Sequence, residues 1–512
     1  MNKGQVENKV KNNIIKGTLI IVLLSILSKV TSFVEEIVLA AFLGTTYKSD
    51  AYYALLSIKD VIYPMLNVGV WKVFLPIYKE KIVNNKYDEA NEIANNIITI
   101  FTIASLVITL LMFVFSDLVV VFLAPGFSKT TKTLCSKLIR LSAPMDIFIV
   151  ISAVYSAMLQ CHNKFFGSQI REFVSHIPTI VAALLFYRFY GVYALVVALI
   201  VGRLLKYLIE LPFVNWGYKY KPALNIKNKE IKIMFKRLPP TIIAEGANQI
   251  NVLVDGIMAS TILVGAVSSL RYGSKLTAIF GGLISGAVAT ALFPQIVEFI
   301  ALDNEEGLSK TIRKIMDIFM LIMIPVSLAC VMFSNTMVNA VYKRGAFNDY
   351  SVGITSKVFA CYSISMFFIA CSTILNNVFF GYGDTKTPMY TSLINLFLNV
   401  LFNLILMGPF GVVGVALSTA ISDIIIFVYR VICINKYIEF ENKNIIIDFL
   451  KVLLIAVIAC SFAKIICINI SVNAYLELLI AGISGISTYY LLAKLFKIQE
   501  VNDIIEYVFY KK

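Results

Sequence analysis

Charge is what this sequence has least of. Of its 512 residues only 15% are Asp, Glu, Lys or Arg, against about 25% in soluble proteins. Too little polar surface is available to cover a soluble enzyme of several domains, and a disordered chain is excluded on the same ground. Histidine is almost missing. His162 and His176 are the only two, too few to build a histidine-based metal centre. Cysteines such as Cys330, Cys371, Cys460 and Cys467 are scattered through apolar runs without CxxC or CxxxH spacing. They read as small apolar core residues, not as a disulfide framework. No GxxxxGK[ST] loop or HExxH pair occurs, and no Ser–His–Asp set survives placement on the apolar runs. ATP hydrolysis is therefore not expected, and the chain is not read as an enzyme.

What the sequence has in abundance is apolar length: 59% of residues are hydrophobic and the mean hydropathy is +0.81. A bilayer core about 30 Å thick needs about 20 apolar residues per helix, and about fourteen such runs can be read. They lie near 18–43, 50–78, 90–123, 137–160, 166–188, 190–214, 240–262, 272–298, 312–333, 354–381, 388–408, 411–434, 448–469 and 474–496. The expected fold class is an all-α polytopic membrane protein. Lys3, Lys9, Lys11 and Lys16 lead into the first run without an A-x-A site, which predicts a retained first helix instead of a cleaved signal.

The net charge of +14 would suggest nucleic acid in a soluble protein. In a membrane protein it points to cytoplasmic loops. With the amino terminus inside, roughly 26 Lys and Arg fall on the inner side and about 9 on the outer side. Both termini are then cytoplasmic. The main exception is the outer segment 129–140, with Lys129, Lys132, Lys137 and Arg140. The lysine-rich connection 217–237 divides the chain into six helices and eight, and reads as an amphipathic or polar crossover. The run from Gly281 to Pro294 places Gly282 and Gly286 four apart, a spacing that allows close helix packing.

Ionisable residues inside apolar runs are costly, at least about 2.5–3.5 kcal/mol each at the bilayer centre. The first, second and eighth runs carry Lys29, Glu35, Glu36, Asp50, Lys59, Asp60, Lys72 and Lys275. Lys29 and Glu36, seven apart, share a helix face. A hydrated cavity lined by these helices is the economical reading, with internal salt bridges as the alternative. The seventh run holds Glu245, Asn248, Gln249, Asn251 and Asp255, and the eleventh places Asn395, Asn399 and Asn403 on one face. Asp255, Asn395, Asn399 and Thr419 could supply hard oxygen donors to a monovalent cation. Interhelical amide hydrogen bonding is the other reading of the same residues.

Several stretches taken together resemble the MurJ (MviN) family of lipid II flippases, within the multidrug/oligosaccharidyl-lipid/polysaccharide exporter superfamily. They are SKVTSFVEEIVLAAFLG (28–44), DAYYA (50–54), LAPGF (123–127), LPPTIIAEGANQINVLVD (238–255), RYGSKL and ATALFP within 271–294, YKRGAF (342–347) and GYGDTKTP (381–388). The resemblance implies two six-helix lobes, 1–216 and 238–436, joined by the 217–237 linker, with two further helices and a tail in 437–512. In the family those last helices border a groove for a lipid tail. The implied substrate is a polyprenyl-pyrophosphate-linked saccharide, moved from inner to outer leaflet by alternating access. Membrane lipids and cell-wall synthesis proteins are the implied partners, nucleic acid is not, and the location is the bacterial cytoplasmic membrane.

Family arginines in the cavity correspond here to Lys29, Glu35, Tyr63 and Lys275. Glu36 and Asp50 match family acidic positions, and Lys59 stands one turn before Tyr63. Arginine suits pyrophosphate because its fork binds oxygens bidentately, so these departures leave another lipid-linked saccharide open as cargo. A non-transporting membrane scaffold is the competing class. No resident cofactor is expected. The resemblance also implies Na+ as a candidate coupling ion at Asp255, Asn395, Asn399 and Thr419, with a backbone carbonyl from Val415.

Overall fold

The computed structural model describes residues 3–438, 445–468, 470 and 472–496. The tail beyond Phe496 lies outside the described residues, as do the side chains of Glu245, Asn248 and the four amino-terminal lysines named above. Every apolar run read from the sequence coincides with one helix or with consecutive helices, and the described residues contain no strand. Among them seven helices are long and apolar enough to cross a membrane, or nine if each of two bent pairs counts as one span. The protein is thus an all-α polytopic membrane protein. It divides into two compact units, Met1–Val264 and Gly265–Lys512.

The first unit begins with α1 (Lys3–Leu43), α2 (Tyr47–Gly69), a π-helical turn (Val70–Phe74) and α3 (Leu75–Val83). It continues with α4 (Tyr87–Val114), α5 (Ser116–Leu123), α6 (Lys129–Ser142) and α7 (Met145–Cys161). It closes with α8 (Phe165–Leu185), α9 (Tyr187–Tyr190), α10 (Val192–Glu210) and α11 (Lys229–Ser260). Between α6 and α7 the axis turns by 46°, where Pro144 caps α7 and has no N–H to continue the ladder. The α8 and α10 backbones touch at Gly202, where a Cβ would stand 2.4 Å from the Ser175 carbonyl oxygen. Phe74, Tyr78, Ile93, Ile97, Val154 and Met158 form the apolar centre. Leu110, Phe122 and Leu184 are exposed, as lipid-facing residues must be.

The lysine-rich connection is not an amphipathic helix along its length. Its second half is the start of α11, and residues 217–228 run as an irregular strap over α4. The strap is polar as expected, but it is also docked. The Asn95 amide oxygen accepts from the Tyr218 hydroxyl (2.8 Å) and the Lys221 N–H (3.1 Å). Thr99 Oγ1 accepts from the Ala223 N–H (3.2 Å), and the Asn96 amide oxygen from the Asn225 N–H. Side chains on α4 thereby satisfy backbone donors that no regular element would reach.

The second unit comprises α12 (Ala266–Phe280), α13 (Gly282–Ala301), α14 (Glu305–Met332), α15 (Ser334–Tyr342) and α16 (Asp349–Ile364). Then follow α17 (Met366–Gly381), α18 (Lys386–Phe410), α19 (Val412–Ile434), α20 (Ile445–Ile468) and α21 (Ala474–Leu495). Phe319, Met323, Phe367, Phe379 and Ala456 are buried at its centre. The GYGDTKTP stretch forms the turn into α18. Gly383 takes φ +73°, a left-handed conformation glycine adopts without a Cβ clash. Asp384 then accepts from the Lys386 N–H (2.9 Å), the Thr387 N–H (3.0 Å) and the Tyr437 hydroxyl (2.8 Å). Partial burial works against the carboxylate, but these bonds and the Thr387 hydroxyl hold its pKa down at about 2.

One packing expectation fails. A Cβ built on Gly282 or Gly286 meets nothing within 4 Å. The small-residue run of α13 therefore makes no tight helix contact at those two positions. Glycine is required for space elsewhere, at Gly414, where a Cβ would fall 2.1 Å from the Leu406 carbonyl oxygen. The cysteines behave as read: all eight are free, and six are buried.

Candidate functional site

The charged residues of α1 and α2 have different fates. Lys29 is exposed and makes no ion pair among the described residues. Glu36, seven residues on, is buried and accepts a 2.6 Å hydrogen bond from the Tyr53 hydroxyl. Glu35 faces α8, where its carboxylate meets His176 Nδ1 at 2.5 Å. Asp50 is buried in the first turn of α2, where a carboxylate favours the helix dipole.

Lys59 does not face an open cavity. It is 1% exposed, and its ammonium donates to both oxygens of Asp146 on α7, at 2.7 and 2.9 Å. Tyr63 lies beside it, with the Lys59 Nζ 5.9 Å from its ring centroid. The Tyr63 hydroxyl is buried and meets no partner among the described residues. Lys275 belongs to the second unit, on α12. It is half-buried, with no ion pair among the described residues. Of the cationic residues expected at the substrate, Lys29 and Lys275 are left uncompensated, and Lys59 is neutralised by its partner.

A larger buried network was not anticipated. On α8 and α10, Glu172 pairs with Lys206, and Arg171 reaches both Glu172 (3.4 Å) and Glu210 (3.6 Å). Ser152 of α7 receives Arg171 (3.0 Å) and donates to Glu210 (2.7 Å). Arg203 of α10 also acts on Glu172 and Lys206, so three cations meet two carboxylates on adjacent helices. The cost rule applied to α1 and α2 flags these residues equally well.

The cation-site residues are distributed over both units. Asp255 is buried on α11 of the first. The others lie on α18 and α19 of the second, where they form a ladder. The Asn399 amide donates to Thr419 Oγ1 (3.0 Å), Asn403 donates to the Asn399 oxygen (2.9 Å), and Thr419 donates to the Val415 carbonyl (3.3 Å). Asn395 donates to Asp423 (3.2 Å), a carboxylate one turn beyond Thr419 that the sequence reading passed over. The Asn395 side-chain oxygen is buried without a partner among the described residues. That orphaned acceptor beside a carboxylate fits a hard monovalent cation better than the satisfied oxygens of Asn399 and Val415 do.

The second unit also contains an apolar cavity of about 260 Å³. Pro325 and Phe333 line one side, and Ala459, Ala463, Gly482 and Ile486 of α20 and α21 line the other. It has no charged lining residue and suits a hydrocarbon chain.

An all-α membrane protein with charges buried in its spans and an apolar groove against its last two helices is, by class, a polytopic helical membrane fold. Solved structures share that fold. A structure titled "Lipid II flippase MurJ, inward closed conformation" superposes with a TM-score of 0.81 at 24% identity, covering 94% of this chain and all of that one. An inward-facing multidrug resistance MATE family transporter of the MOP superfamily gives 0.69 at 14% identity, over 80% of this chain and 95% of that one. Among curated proteins, the probable lipid II flippase MurJ of Thermotoga maritima is 24% identical over 497 residues, covering 96% of this chain and 98% of its own. The family model described as "Lipid II flippase MurJ" matches residues 39–482. The chain belongs to the MurJ family.

Proposed function

We propose that this chain is a flippase that moves lipid II, or a closely related polyprenyl-pyrophosphate saccharide, from the inner to the outer leaflet of a bacterial cytoplasmic membrane by alternating access. The observation that carries the reading is the match to the lipid II flippase family over residues 39–482. Two lysines support it, because Lys29 and Lys275 have no carboxylate partner among the described residues and can meet phosphate oxygens. The apolar cavity against α20 and α21 offers room for the lipid tail. Lys59 then acts as a structural charge, and both termini lie on the cytoplasmic side.

Glutamate at 35 and tyrosine at 63 keep a second cargo in view, a different lipid-linked saccharide such as an exopolysaccharide or teichoic-acid precursor. Glu35 is engaged by His176, so this helix presents less positive potential than a cavity lined by arginines would. Depletion of a native lipid II flippase, with this chain as sole replacement, separates the two. Sustained growth and outer-leaflet exposure of lipid II are expected. Lysis despite normal membrane insertion would reject lipid II as cargo.

Residues of the second unit that would hold a sodium ion are Asn395, Asn399, Val415 and Thr419, with Asp423 beside Asn395; Asp255 belongs to the first unit. The ion would supply its transmembrane gradient as a bias on the cycle. Translocation in vesicles is expected to fall in sodium-free buffer, and Asn395→Ala to abolish that dependence. Equal rates with and without sodium in the unaltered chain would reject the coupling.

A further inference from the structure

The outer cluster of lysines violates the charge bias that orients the rest of the chain, and the structure gives it a location. Two of the four cations in 129–140 are held locally. The Lys132 ammonium donates to the Pro125 carbonyl at 2.7 Å, and Arg140 pairs with Asp117 and receives support from Ser116. Lys129 and Lys137 make no ion pair among the described residues. Instead both line a cavity of about 560 Å³ in the first unit, and Lys48 from the start of α2 joins them. Tyr47, Tyr190 and Tyr193 line it as well, together with Thr130, Thr133 and Leu134, and no carboxylate does.

The backbone adds to the same polarity. Tyr47 opens α2, Lys129 opens α6 and Val192 opens α10, so three helix amino termini border one cavity. The α10 terminus has no side-chain cap, and a Cβ on its preceding Gly191 would meet nothing within 4 Å. Lys48, Lys129 and Lys137 are exposed at this one cavity, so an anion entering it would meet three ammonium groups and an open helix end. Tyrosine hydroxyls and ring faces around the rim suit a polyhydroxylated group attached to that anion.

We infer that this cavity is a second binding site, specific for a phosphate-bearing headgroup, separate from Lys29 and Lys275. With the amino terminus inside, as proposed above, it opens on the outer side. The shared chemistry is a phosphate or pyrophosphate ester carrying hydroxyl groups. An anionic lipid headgroup and a water-soluble sugar phosphate both have it.

The test uses the full chain, purified in neutral detergent, in a Lys29→Ala/Lys275→Ala background so that the proposed transport site contributes nothing. Inorganic pyrophosphate is titrated calorimetrically. Binding is expected, weakened at least about tenfold by Lys48→Gln/Lys129→Gln/Lys137→Gln and retained by the three matching Lys→Arg changes. Equal affinity in the glutamine and unaltered proteins, or no binding at all, would overturn the site. A second arm repeats the titration in nanodiscs. Loss of pyrophosphate binding in phosphatidylglycerol but not phosphatidylcholine identifies a lipid headgroup as the occupant. Retention in both identifies a soluble phosphate. The readout is binding in a transport-deficient background, so failure of the flippase reading leaves its outcome unaffected.

Discussion

Replacing Lys59 with methionine is expected to destabilise the first unit by about 3–5 kcal/mol, and Asp146→Leu alone to cost a similar amount. Each single change strands a charge in a site where the two side chains are 2% and 3% exposed. The double change Lys59→Met/Asp146→Leu should restore or exceed the original stability by up to about 4 kcal/mol, because desolvation of both ions is then avoided. Thermal unfolding of the purified protein in detergent reads the effect. Single variants within about 0.5 kcal/mol of the unaltered chain, the level of an ordinary surface change, would show that the pair is solvated. The cycle also separates structure from transport: the double variant is expected to keep its flipping activity.

The second large effect is expected at the two uncompensated lysines. Each charge-assisted bond to a phosphate is worth roughly 1.5–3 kcal/mol. Lys29→Ala/Lys275→Ala is therefore expected to slow headgroup translocation in proteoliposomes about a hundredfold or more, with each single change intermediate. Arginine at either position should preserve activity, since its fork also binds phosphate oxygens. Normal translocation in the double alanine variant, at normal expression, would remove both residues from the substrate site. The stability of this variant should be nearly unchanged, as neither side chain has an ion-pair partner among the described residues to abandon.

The helices were legible from sequence because apolar length is a local property. Each run from 18–43 to 474–496 falls on helix, including the bent pair at Pro144, whose interruption reads simply as one span. Pairing was not legible. Asp146 is 87 residues from Lys59, and His176 is 141 from Glu35, so nothing in the spacing along one helix announces either partner. The two readings offered for α1 and α2 divide by residue: salt bridging holds for Lys59, while Lys29 stays open. On α18 and α19 the amide reading describes Asn399 and Thr419, which satisfy one another. Asp423 lies on the same helix as Thr419, one turn further on, and only its contact with Asn395 across the helix pair marks it. The glycine spacing of α13 shows the limit of motif reading, since small residues permit a close approach without supplying the neighbour.

The strap over α4 changes what a protease would encounter. Lys219, Lys221 and Lys227 look in the sequence like an open invitation to trypsin. Cleavage needs several residues of backbone drawn out into the enzyme. Here the N–H groups of Lys221, Ala223 and Asn225 are already held by Asn95, Thr99 and Asn96. Nicking of the connection therefore reports detachment of the strap, and its rate follows how often those three bonds open together.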